Sequence, residues 1–229
     1  MEYLVILIVS IIFLIILKII FGVNIKKIKT LGENEKLDKI TSKFPDNISI
    51  CKRYLKKINN ENVKIEENKD NETSLYMAAS NKIIIANLQG NFTRIQTIAH
   101  ECLHSVQDKK ILIFNNVFSN IYLLYFIIIS VLAIIKVLPN KMMFLAIFII
   151  LGLVYYVVRS YLEDDAMIKA KYLAKEYMEE EKILEKSEIE EIVNEYDKIN
   201  NIGIKCVNYN LFLGILCKII IISLICYIR

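Results

Sequence analysis

Four long apolar segments constrain this chain more than any other feature of its sequence. They cover residues 3–21, 117–138, 142–158 and 211–228. Each approaches or reaches the roughly 20 apolar residues that a helix needs to cross the hydrocarbon core of a bilayer. Apolar residues make up 55% of the chain and charged residues still make up 24%, so the two kinds are segregated along the sequence. We therefore expect a mainly α, polytopic membrane protein with about four transmembrane helices, and not an ordinary soluble domain.

Lysine and arginine residues near the ends of these segments indicate the orientation of the chain. One side of the membrane would carry many of them, and the other side would carry only Lys136, Lys141 and Arg229. The positive-inside rule then places both polar regions in the cytoplasm, with a hairpin turn at Pro139-Asn140. The residues that carry the cytoplasmic charge are Lys26, Lys27, Lys29, Lys109, Lys110, Arg159, Lys169, Lys171 and Lys205.

This topology predicts five successive parts. The first is expected to be an uncleaved anchor, because no positive charge precedes its apolar segment and no A-x-A-like cleavage site follows it. The net charge of +4 is modest and the lysines are scattered among acidic residues, so no nucleic-acid partner is expected. The parts are an N-terminal transmembrane anchor (1–22), a cytoplasmic α+β segment (23–113), a transmembrane hairpin (114–158), cytoplasmic helices (159–208) and a C-terminal transmembrane helix (209–229).

The polar regions show weaker patterns of secondary structure. Apolar residues at helical spacing predict a helix over 47–59, and a second helix is expected over 93–108. Two short alternating or apolar runs, 63–65 and 82–87, suggest a small antiparallel sheet. Because 153–202 contains neither Gly nor Pro, the third apolar segment should continue as one helix to about 179–181. A further amphipathic helix is expected over 188–199.

The only two histidines of the chain lie four residues apart, at His100 and His104, in the pattern H-E-x-x-H. On a helix, this spacing puts both imidazoles on one face, where they can hold one Zn²⁺. Glu101 follows the first histidine and is rotated by about 100° from it. It can therefore reach a metal-bound water without being a ligand, which is the position of a general base.

A catalytic zinc site needs a third protein ligand and an open position for water. Because the chain has no other histidine, this ligand must be a carboxylate or a cysteine. We expect Glu163, which follows the third apolar segment on a helix that can lie beside the histidine helix. The neighbouring Asp164 and Asp165 are alternatively plain solvated acids, and either of them can instead accept a hydrogen bond from a ligand imidazole.

These two motifs resemble those of the bacterial membrane-bound neutral zinc metallopeptidases (YugP-like). Residues 99–107 are similar to the signature A-H-E-x-x-H-x-[IV]-Q, and residues 163–170 are similar to a downstream E-x-D-A-x-x-x-A and, more distantly, to a motif of HtpX-like peptidases. The resemblance implies a zincin-like cytoplasmic region with one Zn²⁺ per chain. It also implies His100, His104 and Glu163 as ligands, Glu101 as catalytic base and Asp165 as a supporting acid. Two departures are Leu103, where the families have a small residue, and Met167, where the HtpX-like pattern has Asp.

The motifs and the topology together predict a zinc-dependent endopeptidase of a bacterial cell membrane, acting on proteins or peptides, membrane proteins among them, at the cytoplasmic surface. The run 82–87 is expected to bind substrate as an added β-strand. Arg159, Tyr161 and Tyr172 are candidates for stabilising the oxyanion because they are near Glu163 in sequence.

Three other functions compete with this one. A catalytically inactive zinc-binding scaffold or regulatory protein would share the metal ligands but not the reaction. An intramembrane protease is disfavoured because charged residues flank the histidines. A transporter or channel subunit is disfavoured because the apolar segments carry few polar groups.

Overall fold

The computed structural model describes residues 1–23, 30–68, 70–71, 73–88 and 90–228. Lys26, Lys27, Lys29 and Arg229, which contributed to the predicted orientation, lie outside the described residues. The chain is mainly helical, as expected, with one small sheet. Its elements are α1 (Glu2–Phe21), α2 (Glu35–Thr41), α3 (Asn47–Lys57), β1 (Lys64–Glu67), β2 (Leu75–Met77), β3 (Lys82–Ile85), α4 (Arg94–His104), α5 (Lys109–Ile134), α6 (Lys141–Glu181) and α7 (Lys186–Ile228).

Four helices, namely α1, α5, α6 and α7, are long and apolar enough to cross a membrane, which suggests a membrane protein. The prediction of four long apolar helices is confirmed. The predicted continuation of the third one to 179–181 is confirmed as well, since α6 ends at Glu181. The prediction of a separate helix over 188–199 is wrong. These residues form the first part of α7, which continues without a break into the last apolar segment.

The turn between α5 and α6 begins earlier than predicted. Helix α5 ends at Ile134 and not at residue 138, and Lys136 and Asn140 have positive φ angles of 63° and 37°. Two left-handed residues so close together reverse the chain over a few positions. The side chain of Asn140 then accepts a hydrogen bond from the Met143 N–H (3.3 Å) at the start of α6.

The chain divides into two compact units, and the first contains residues 1–23, 114–161 and 205–229. Its core is aromatic and aliphatic. The ring of Tyr122 stacks on that of Phe148 with centroids 4.8 Å apart. A side chain at Gly152 would not fit, because its Cβ would lie 3.0 Å from Cγ2 of Ile215 and 3.1 Å from the Tyr122 hydroxyl. Glycine at this position therefore permits the close packing of α5, α6 and α7.

The second unit contains residues 24–113 and 162–204, and it holds the sheet. Strand β3 is central, with β1 on one side and β2 on the other. The predicted antiparallel pairing of the two strands is wrong, because β1 runs parallel to β3 with Ile65 opposite Ile83. The reason is that the chain between them forms β2, which the sequence analysis missed and which pairs antiparallel with β3. A tight hairpin therefore joins β2 to β3, and the parallel pair is connected through β2.

Helices surround this sheet and share one core with it. The predicted helices over 47–59 and 93–108 exist as α3 and α4, each shorter at its C-terminal end than expected. Tyr54 of α3 and Tyr177 of α6 are buried with ring centroids 5.2 Å apart. The Tyr196 hydroxyl of α7 donates to the Phe92 carbonyl (2.7 Å). Buried residues of the core also include Leu37, Ile50, Leu55, Ile83, Ile85, Ile95, Ile98, Ala99, Ala170, Ala174 and Ile192.

A buried arginine joins α4 to the chain around α2. Arg94 is 4% exposed. One of its terminal nitrogens donates to the Pro45 carbonyl (2.8 Å) and the Asn47 side chain (3.1 Å). The other donates to the carbonyls of Thr41 (3.0 Å) and Phe44 (2.9 Å). These carbonyls lie at and after the end of α2, where helical partners are missing, so the guanidinium satisfies them and anchors the first turn of α4.

Replacing this arginine should loosen α4. We expect Arg94→Met to lower the free energy of local opening of α4 by about 3 kcal/mol, because it leaves several buried acceptors without a donor. The matched control is Arg53→Met, since Arg53 is largely exposed and pairs with Glu181 at 3.2 Å. That control should cost less than about 1 kcal/mol. Amide hydrogen exchange of the purified protein in detergent measures both, and equal protection of α4 in the two variants would contradict the prediction.

Candidate metal centre

Helix α4 carries the H-E-x-x-H motif and has one buried face. Ile95, Ile98, Ala99 and Cys102 are fully buried in the core of the second unit. His100 and His104 are one turn apart and only partly buried, so they lie outside that face. The amphipathic pattern of the helix therefore determines where both imidazoles point: packing of the apolar residues turns the histidines away from the core.

Glu163 lies on α6 and meets the two imidazoles. Its Oε2 is 3.5 Å from Nε2 of His100 and 3.7 Å from Nε2 of His104, and the two Nε2 atoms are 3.0 Å apart. A circle through the three atoms has a radius of about 2.0 Å, close to the distance at which imidazole nitrogen and carboxylate oxygen bind zinc. An ion near its centre would touch all three atoms. His100, His104 and Glu163 can therefore hold a metal ion.

The packing of α6 explains why Glu163 reaches this position. Leu162, Ala166 and Ala170 are buried, so this side of α6 faces the interior of the molecule. Ala170 belongs to the same core cluster as Ala99 and Cys102 of α4. Because alanine side chains are short, α6 can approach α4 closely enough for a glutamate to span the remaining gap.

Gln107 is a residue of the site to which the sequence analysis assigned no role. Its Oε1 is 2.8 Å from Nδ1 of His104, and its Nε2 donates to the Leu162 carbonyl (2.7 Å) and, at 3.3 Å, to Oδ2 of Asp165. One amide therefore bridges a histidine on α4 to the turn of α6 that carries Glu163. Accepting the Nδ1 proton of His104 leaves its Nε2 free for a metal. The position of Gln107 three residues after His104 was the sequence signal that could have predicted this contact.

The other acids of this turn have different surroundings. Asp165 forms an ion pair with Lys169 (2.6 Å), and its Oδ2 accepts a hydrogen bond from the Gln107 amide that also contacts His104. Asp164 is partly buried next to it. Among the described acids and histidines, Glu163 is the carboxylate that lies with both imidazoles. The sequence analysis expected Glu163 here and gave its two neighbours no ligand role, and the direction of one helical turn brings Glu163 to the imidazoles.

Glu101 lies deep beside the same group. Its side chain is 7% exposed. Burial raises the pKa of its carboxyl and the charge of Glu163 adds to the rise, whereas the charges of His100 and His104 and the nearby backbone N–H of Tyr76 in β2 oppose it. Glu101 is not one of the three converging groups. It is therefore a carboxyl close to the imidazoles that has no ligand position, and β2 packs over it.

The pKa of His104 reflects its attraction to the carboxylate. Burial alone would lower this pKa, but the negative charge of Glu163, whose Oε2 lies 3.7 Å from Nε2 of His104, outweighs burial and raises it. Positive charge is therefore favoured beside the Glu163 carboxylate. A divalent cation between the three groups would supply such a charge.

The residues that depart from the family motifs and the oxyanion candidates have the following places in the fold. Leu103 packs against the core of the second unit. The Met167 carbonyl accepts a hydrogen bond from Asn200 of α7 (3.2 Å). Tyr172 is 59% exposed, and the Nζ of Lys171 lies 4.5 Å from the centroid of its ring. Arg159 and Tyr161 belong to the first unit.

Removing the Gln107 amide should weaken metal binding. We expect Gln107→Ala to lower the affinity for Zn²⁺ by about 10- to 100-fold, because His104 loses the acceptor that orients its ring. Gln107→Glu should lose less, since it retains an oxygen near Nδ1. The matched control is Gln96→Ala on α4, the helix of His104. The Gln96 amide donates instead to Asn200. Competition with a chromophoric zinc chelator measures the affinities. Equal losses in Gln107→Ala and Gln96→Ala would show that helix packing, and not ring orientation, is responsible.

Comparisons with protein-family models, with curated proteins and with solved structures found no match. The resemblance to membrane-bound zinc metallopeptidases thus depends on the residues of the two motifs alone, and the chemistry of the site has to be argued from its geometry.

Proposed function

We propose that this protein is a zinc-dependent, membrane-bound endopeptidase that hydrolyses peptide bonds with Glu101 as general base. The observation that carries the proposal is the convergence of His100, His104 and Glu163 on one point, with Glu101 buried beside them. Three protein ligands of this kind leave a coordination position open for water or substrate, which a catalytic site needs and a closed structural site lacks.

The donor set supports zinc as the metal. Two imidazole nitrogens and one carboxylate oxygen are the ligands of a catalytic zinc ion in well-known peptidases of the H-E-x-x-H type. When bound, zinc would polarise the scissile carbonyl and lower the pKa of a bound water. Measuring the metal content of the purified protein tests this part of the proposal separately from its activity.

The residues of the chain would handle the proton. Glu101 accepts the proton of the attacking water at its carboxylate and delivers it to the leaving amine. Its burial keeps bulk water from competing for that proton. His104 stays in the orientation that presents Nε2, because Gln107 holds its Nδ1 side.

The substrate would bind along β2 and not along 82–87 as the sequence analysis predicted. Strand β3 has a neighbour on each side in the described sheet, so it has no free edge, whereas β2 is an edge strand. The N–H of Tyr76 lies near the Glu101 carboxylate, so β2 lies next to the proposed site of reaction. Leu75 and Met77 are exposed on the same strand. An extended peptide that pairs with β2 would pass Glu101 and expose its backbone to the metal.

The four long apolar helices support a membrane location for the proposed reaction. We propose a bacterial cell membrane as the site of the protein, with both polar regions on the cytoplasmic side, from the distribution of Lys and Arg. Substrates would then be proteins or peptides at that surface, and membrane proteins are included. The competing function is an inactive zinc-binding scaffold, which the same ligands would serve.

One substitution separates the two functions. We expect Glu101→Gln to bind zinc as the wild type does and to cleave an unfolded model protein at least about 100-fold more slowly, because the amide cannot accept the proton. Glu163→Gln, as a comparison, should lose zinc affinity and activity together. Zinc stoichiometry and cleavage are measured on the full chain in detergent. Undiminished proteolysis by Glu101→Gln would refute the mechanism, and a zinc-loaded wild type that cuts nothing would favour the scaffold.

A further inference from the structure

We propose that a cavity beside the metal centre binds one side chain of the substrate and selects an acidic one; this inference rests on the proposed peptidase function. The cavity has a volume of about 470 Å³ and lies within the second unit. The turn between β2 and β3, the end of α4 and the first turn of α5 enclose it. Residues that line it include Tyr76, Ala78, Ala79, Gln107, Lys109 and Leu112.

Two lining residues connect the cavity to the groups that would carry out the reaction. Gln107 forms part of the wall, and the same amide lies 2.8 Å from Nδ1 of His104. Tyr76 also lines the cavity, and its backbone N–H lies near the carboxylate of Glu101. A peptide paired with β2 and reacting beside Glu101 would therefore have a neighbouring side chain within reach of the cavity.

The size and the walls suit a single large side chain. A volume of about 470 Å³ lies at the small end of the roughly 300–1,000 Å³ found for ligand pockets. Ala78 and Ala79 contribute only methyl groups to the wall, so the turn between β2 and β3 leaves room. Leu112 and Ile113 of α5 add apolar surface for the aliphatic part of a side chain.

The polar groups of the wall largely satisfy one another. The Asn60 amide donates to the Ser105 carbonyl (3.0 Å) and hydroxyl (2.9 Å). The Tyr76 hydroxyl donates to the Asn81 side chain (3.0 Å). These hydrogen bonds fix the shape of the cavity. The groups that form them are neutral, so a different residue must distinguish acidic from basic substrate side chains.

Lys109 is that group. Of the described residues that line the cavity, it alone carries a charge. A carboxylate in the cavity is attracted to the ammonium, and a lysine or arginine side chain is repelled by it. Lys109 is exposed, so solvent weakens the effect, and a preference of about tenfold is the expected size. If Lys109 alone selects the acidic side chain, replacing it by an acidic residue should make the protein prefer a basic side chain.

The experiment uses the zinc-loaded full chain in detergent and internally quenched peptides. Glu, Gln and Lys are placed in turn at each position flanking the cleaved bond, and kcat/KM is measured for each peptide. The wild type should prefer Glu to Lys about tenfold at one position, and Lys109→Glu should reverse this preference. The matched control is Lys110→Glu, because Lys110 is the adjacent exposed lysine and does not line the cavity. It should keep the preference of the wild type.

A second variant tests the volume of the cavity. Ala79→Leu should lower kcat/KM more for peptides with a large residue at the selective position than for peptides with Ala there, and the zinc content should stay the same. If Lys109→Glu and Lys110→Glu change the preference between Glu and Lys equally, the proposed pocket is refuted. It is also refuted if the wild type shows no preference at any position. Neither result contradicts the proposed peptidase activity. A zinc-loaded wild type that cleaves no peptide would instead remove the proposed function, and the pocket with it.

Discussion

The side-chain amide of Gln107 is the interaction on which the geometry of the metal centre depends. It lies three residues past His104, just beyond the end of α4, and joins Nδ1 of His104 to the Leu162 carbonyl of α6. A single planar group with one acceptor and one donor end therefore links the two helices that carry the candidate ligands. Because Glu163 is the next residue after Leu162, the same bond that orients the imidazole also positions the turn that holds the carboxylate.

This bridge works only because α4 is itself held firmly. Arg94 anchors its first turn through four hydrogen bonds, and its apolar face is buried in the core. At the far end of that face, Sγ of Cys102 lies 3.6 Å from Sγ of Cys51 on α3. A helix fixed at its start and along one face can present two imidazoles with little freedom. Metal binding would then require little reorganisation, which is the condition for a preorganised site.

Strand β2 gives the site a second wall and connects it to the proposed substrate. The N–H of Tyr76 lies near the Glu101 carboxylate, and the turn that follows β2 covers the cavity next to Gln107. One short segment therefore offers the proposed edge for backbone pairing, lies next to the proposed base on α4 and adjoins the proposed side-chain pocket. A strand of only three residues has this importance because of its place at the edge of the sheet and not because of its stability.

The prediction of the fold from sequence was correct where the governing pattern is local. The four apolar segments and the run without Gly or Pro gave α1, α5, α6 and α7, except that α5 ends at Ile134, where the turn begins early. A small sheet that pairs β1 with β3 is present, but the predicted antiparallel direction was wrong, because the chain between them forms β2, which is three residues long and shows no clear alternation. Pairing between strands is a non-local choice, and a short sequence window does not contain it.

By itself, the sequence determined that the chain has four helices able to cross a membrane and that His100 and His104 share one helical face. Both follow from the hydropathy and the period of a single segment. Only the tertiary structure decided that Glu163, and not Asp164 or Asp165, meets the imidazoles, and that Gln107 joins the two helices. Successive residues on a helix differ by about 100° in direction, so this choice depends on which face of α6 packs against α4, and packing between distant segments sets that face.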